Sequence, residues 1–117
     1  MEEAEGPALE TLVFQELRAL NAYLDLEYSF HYWRTDAQLE VDFVLYGERG
    51  LLAFEIKRSD RIRKEDLKAL QSFAADYPMA KCYLLYSGSR RLREGAVEIL
   101  PLTEFFGKAS ALLENKP

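Results

Sequence analysis

Residues 39–57 read as two strands closed by one turn, and that pairing constrains the fold more than any other stretch of the chain. Leu39–Tyr46 and Leu51–Lys57 are both apolar-rich, and Gly47-Glu48-Arg49-Gly50 sets two polar residues between glycines, a hairpin signal. Centring the turn between Glu48 and Arg49 makes partner numbers sum to 97. Tyr46 then faces Leu51, Val44 faces Ala53, Asp42 faces Glu55 and Glu40 faces Lys57. Side chains alternate along strands, so these eight are expected on one face. Val41, Phe43 and Leu45 against Leu52, Phe54 and Ile56 are expected to form an apolar layer on the other.

The far end of this hairpin is ionic. Opposed residues on a strand pair have Cβ atoms about 4.5–5.5 Å apart, and like charges there destabilise the sheet. A simple salt-bridge ladder would set Asp42 against a Lys or Arg, yet it meets Glu55. A shared proton, a nearby cation or a divalent metal would offset the repulsion. Two carboxylates converging from adjacent strands make an oxygen-rich site of the kind Mg²⁺ prefers, with coordination positions left for water and phosphate. Lys57 lies two residues beyond Glu55 on the same face. A partly solvated ion cluster at a strand end is the plainer alternative.

Around the hairpin, helical spacing of Leu9, Leu12, Val13, Leu17, Leu20 and Leu24 predicts a first helix, with Pro7 at its first turn behind Gly6. Ser29–Arg34 reads as a strand. Leu67, Leu70, Phe73 and Ala74 predict a helix over Arg63–Asp76, stopped by Pro78. Lys81–Tyr86 contains the unbroken apolar run CYLLY of a strand covered on both faces. A basic loop, Ser87–Gly95, leads to a strand at Ala96–Leu100 and a final helix bearing Leu102, Phe105, Phe106, Ala109, Leu112 and Leu113. Short connections make the first three strands an antiparallel meander, and the helix after the third implies a parallel crossover. The expected fold class is α/β: a three-layer α/β/α domain with a mixed five-stranded sheet.

Composition agrees with one packed domain over residues 1–117: hydrophobic residues make up 49 % and aromatics 13 %, which excludes wholesale disorder. Cys82 is the only cysteine, so a disulfide scaffold is excluded, and within its apolar run it reads as a small hydrophobe. His31 is the only histidine and has no second His or Cys with which to build a zinc site. No apolar run approaches the roughly 18–20 residues of a membrane-spanning helix. The opening MEEAEG is acidic where a targeting peptide would be basic, so the cytoplasm is the expected compartment. The net charge of −5 hides an asymmetry: residues 1–57 carry 12 acids and 4 bases, residues 58–117 carry 8 acids and 11 bases. Arg58, Arg61, Arg63 and Lys64 head the basic half and, with Arg34, are the candidate phosphate contacts; a solvated helix face is the bland reading of the same charges.

Asp42 and Glu55-Ile56-Lys57 on a hairpin, after one helix and before a crossover helix, resemble the PD-(D/E)XK restriction-endonuclease-like superfamily. A nearer likeness is to the domain of unknown function found at the C-terminal end of many bacterial and archaeal AAA-type ATPases. That resemblance is carried by a first-helix glutamate (Glu10), Tyr32-Trp33-Arg34-Thr35, Glu40-Val41-Asp42-Phe43, Glu55-Ile56-Lys57, Leu70–Phe73 and Leu100-Pro101-Leu102, and covers about residues 6–107. It implies a restriction-endonuclease-like sheet with strands in sequence order. It further implies that Asp42 and Glu55 bind Mg²⁺ or Mn²⁺, that Lys57 is the catalytic lysine, and that Glu10 joins the metal shell. A glutamate on a helix flank is otherwise simply solvated. The expected function is metal-dependent hydrolysis of phosphodiester bonds in nucleic acid. Beside two carboxylates an ammonium is favoured over a free amine, so Lys57 is expected to act as an electrostatic clamp rather than as a base. The alternative is a non-catalytic domain that docks or regulates an AAA-type ATPase. A homodimer would suit cleavage of both strands of a duplex.

Overall fold

The computed structural model describes residues 2–116, and of residues 2–7 only the backbone. Helix α1 (Glu2–Tyr23) leads into strands β1 (Ser29–Arg34), β2 (Glu40–Gly47) and β3 (Gly50–Lys57). A 3-10 turn (Lys64–Leu67) and helix α2 (Lys68–Asp76) return the chain to β4 (Lys81–Tyr86). Then come β5 (Leu92–Glu94), β6 (Val97–Pro101) and α3 (Leu102–Glu114). The six strands form one mixed sheet in the order β1-β2-β3-β4-β6-β5. The meander is antiparallel and the β3–β4 pair parallel, as the connection lengths require.

The core lies on both faces of the sheet. Val13 and Leu17 of α1 and Phe105, Ala109 and Leu113 of α3 pack on Leu45, Leu52, Phe54, Leu85 and Leu100. On the opposite face Leu70 and Phe73 of α2 cover Val44, Ala53, Leu84 and Ile99. β3 therefore alternates, with Phe54 to one side and Ala53 to the other, each fully buried. β4, apolar throughout its centre, is buried from Cys82 to Tyr86. Cys82 is a core hydrophobe, its thiol pushed up to about 11 by burial.

Four expectations are corrected. The sheet has six strands, not five, because Leu92–Glu94 inside the basic loop adds an antiparallel edge to β6. The first helix begins at Glu2, upstream of Pro7. The crossover helix starts at Lys68, since Lys64–Leu67 winds as a 3-10 turn. The fourth correction touches the site. Pairing of β1 with β2 runs from Ser29·Tyr46 to His31·Val44, then resumes at Trp33·Val41. Asp42 and Phe43 thus both stand opposite Tyr32, which makes a bulge in β2. Val41 consequently packs with Val44 under α2 and not with Phe43 and Leu45 under α1.

Candidate functional site

The hairpin register is as the turn dictates from Gly47·Gly50 to Phe43·Phe54, each pair summing to 97. There the regular ladder stops. A continuation would set Ile56 opposite Val41, but the Ile56 N–H donates to Asp42 Oδ2 at 2.9 Å. The bulge has turned a side chain into a substitute for a ladder carbonyl. One oxygen of Asp42 is tied to backbone, which fixes the carboxylate at the sheet rim.

Glu55, the residue before Ile56 on β3, is half-buried. Its Oε1 is buried and has no hydrogen-bond partner. Burial pushes Glu55 up to about 8, and the charges of Asp42, Asp66 and Glu10 add to the rise against a smaller opposing effect of Lys57. Burial likewise raises Asp42 to about 6, opposed by the Ile56 N–H and reinforced by Glu10 and Glu40. The charge of Asp42 is therefore felt at Glu55. Neither is gripped by an arginine among the described residues.

Lys57 has a partner that its sequence position did not reveal. Its Nζ lies 3.1 Å from Asp66 Oδ1. Asp66 belongs to the 3-10 turn and also accepts the Arg63 N–H at 2.8 Å through Oδ2. Burial works to raise Asp66, but the Arg63 N–H and the Lys57 ammonium outweigh it and hold the carboxyl below its ordinary value. A usable signal was present: the parity of β3 sends Lys57 to the face that the crossover segment covers, and Asp66 is an acid in its first turn.

Glu10 remains exposed on α1, beside Thr11, Phe14 and Phe43, and reaches the carboxylates only through its charge. Among the described residues, no three His, Cys, Asp or Glu side chains are grouped as a metal cage. The proposed phosphate contacts scatter. Arg34 pairs with Glu40 at 3.6 Å, and Arg58 lies with Ser59 and Asp60 on another part of the rim. Arg61 is exposed and anchored by its N–H to Ser59 Oγ. Only Arg63 and Lys64 come together, and they do so with Lys68 and Arg93. A separate groove of about 580 Å³, lined by Trp33, Tyr46, Phe73, Tyr77 and Met79 among others, lies away from the carboxylates.

Fold and site together define a mixed-sheet α/β domain with a pair of half-buried, mutually repelling carboxylates at the sheet rim. The chain belongs to the family described as Domain of unknown function (DUF4143), whose model matches residues 5–105. Domains of this family are often found with AAA ATPases. No curated protein matches the chain. No helix among the described residues is long and apolar enough to cross a membrane.

Proposed function

We propose that this chain is a divalent-metal-dependent, nuclease-like domain that hydrolyses phosphodiester bonds in nucleic acid, with Asp42, Glu55 and Lys57 as its working residues. The observation that carries the proposal is the Glu55 carboxylate, which has one buried oxygen without a donor and negative neighbours around it. A buried unsatisfied acceptor costs about 1–3 kcal/mol, and like charges add to that. A proton relieves the conflict at low pH and a cation relieves it at high pH. The donor set fits Mg²⁺ or Mn²⁺ through two carboxylates, with the remaining positions left to water and substrate. Such an ion would polarise a phosphate and acidify a bound water.

The chain's own residues do the rest. Asp42, tied through Oδ2 to the Ile56 N–H, keeps its other oxygen directed without needing to reorganise. Glu55 must give up its proton to take part, so activity should rise toward pH 8. Lys57, its side chain 39 % exposed, is held at the rim by Asp66 and can present its ammonium to a phosphate or an attacking oxygen. Ile56 is packing between the two working positions.

The family's frequent occurrence with AAA ATPases favours a second reading, a non-catalytic domain that docks or regulates such an ATPase. One set of measurements separates the two. Mg²⁺ and Mn²⁺ are titrated calorimetrically into the wild type and Glu55→Gln, and single- and double-stranded DNA and RNA are then assayed for cleavage. The hydrolase reading expects metal binding that weakens by about tenfold or more in Glu55→Gln, together with metal-dependent cleavage. No binding and no cleavage at millimolar metal would leave only the docking reading.

A further inference from the structure

We propose that the cleft between the 3-10 turn, the start of α2 and the β5 edge binds unpaired nucleotides, the single-stranded form of the substrate. The identity of the anion rests on the phosphodiesterase reading above; the cationic character of the cleft does not. The cleft has a volume of about 530 Å³. Arg63, Lys64 and Lys68 line it from one side and Arg93 from the other, with Glu94 as the one acid. Lys64 and Lys68 stand one helical turn apart, are exposed, and take no ion pair among the described residues. Arg93 is shared with Glu98 at 3.3 Å. In a chain of net charge −5, four cations gathered around one concavity make a local reversal of sign suited to phosphate.

The floor decides between strand forms. Leu67 and Leu92 line the same cleft; Leu67 is buried beneath it and Leu92 is 38 % exposed. A duplex presents phosphates while its bases stay stacked inside, so it leaves an apolar floor uncovered. An unpaired strand offers both phosphates and base faces, and can set the phosphates on the cations while a base face covers the aliphatic Leu92. The 3-10 turn links this cleft to the carboxylates. Lys64 and Leu67 face the cleft, and Asp66 between them holds Lys57 at 3.1 Å. A strand seated on the rim therefore touches the same 3-10 turn whose Asp66 pairs with Lys57.

The test is fluorescence anisotropy of a labelled single-stranded oligonucleotide, its duplex and a Glu-rich peptide, in EDTA and across a salt series. Wild type, Lys64→Glu/Lys68→Glu and Glu55→Gln are compared. The wild type should bind the single strand more tightly than the duplex. The double variant should lose at least tenfold in affinity, and its log–log salt slope should shrink by about 1.4, two contacts at about 0.7 each. Its melting temperature should stay that of the wild type, because neither lysine has a partner to lose. Glu55→Gln should bind as the wild type does. Absence of binding, an unchanged slope in the double variant, a preference for duplex, or tighter binding of the peptide would each overturn the proposal. Tight single-strand binding without any Mg²⁺- or Mn²⁺-dependent cleavage would sink the hydrolase reading and leave the cleft standing.

Discussion

Replacing Glu55 by Gln should stabilise the fold in alkaline solution, an unusual direction for a polar substitution at a half-buried position. An unfolded chain releases the Glu55 proton near the ordinary value of 4.5, whereas the folded chain keeps it to about 8. Across that window the folded state binds more protons, so unfolding free energy falls as pH rises. At about 1.4 kcal/mol per unit, the rise from 4.5 to about 8 corresponds to an upper bound near 5 kcal/mol. Half of that would be plain in a denaturation curve. Asp42, raised to about 6, adds a smaller loss of the same sign at lower pH. The assay is urea unfolding in EDTA at about pH 5, 7 and 9, followed by the fluorescence of Trp33. The two proteins should match at the acid end, and Glu55→Gln should be the more stable by several kcal/mol at the alkaline end. Adding Mg²⁺ at 100 times its Kd should return about 2.7 kcal/mol to the wild type and much less to the variant. Parallel pH profiles for the two proteins would refute a buried, proton-holding Glu55, and with it the reason for placing a cation there.

Three further outcomes follow from the packing. Asp66→Asn should cost about 1 kcal/mol by urea unfolding at neutral pH, since the Lys57 end of the pair is 39 % exposed and solvent weakens it there. Because Asp66 is held below its ordinary value, that gap should close as pH falls into the acid range. Phe54→Ala should cost about 3–5 kcal/mol, because this fully buried ring stacks on Tyr83 and meets Phe105 edge-on. Gly50→Ala should lower the melting temperature more than Gly95→Ala. Both glycines have positive φ, but a Cβ on Gly50 would meet Asn115 Nδ2 while one on Gly95 meets nothing within 4 Å.

The hairpin was legible because its register depends only on the turn, and GERG states the turn outright. The β3–β4 crossover was legible for a similar reason: the connecting segment is too long for a hairpin and carries a helical stripe. The bulge at Asp42 was not, because it arises between β1 and β2, where no tight turn sets the count; strict alternation therefore assigned Val41 to the wrong face. Strand β5 escaped notice since all three of its residues are exposed and show no periodicity. Of the proposed site, Asp42, Glu55 and Lys57 could be named from the hairpin register and the family resemblance, whereas Asp66 depends on how the crossover segment winds. Charge along the sequence does not say which cations meet in space: of the candidate phosphate contacts, Arg34, Arg58 and Arg61 face different surroundings and only Arg63 and Lys64 share a cleft.

The end of α3 has a consequence for how the domain comes together. Tyr28 Oη donates to Leu113 O at 2.6 Å, Arg49 Nη1 to Glu114 O at 3.3 Å, and Asn115 Nδ2 to Arg49 O at 2.7 Å. These contacts span 85, 65 and 66 residues of chain. Each closes a loop whose entropy must be met before the contact returns anything. On a ribosome the hairpin would emerge before the helix that latches its tip, with its Leu52–Phe54 face covered by α1 alone. Phe105, Ala109 and Leu113 therefore complete that layer last, and the contacts that fix the hairpin tip close only when α3 is in place.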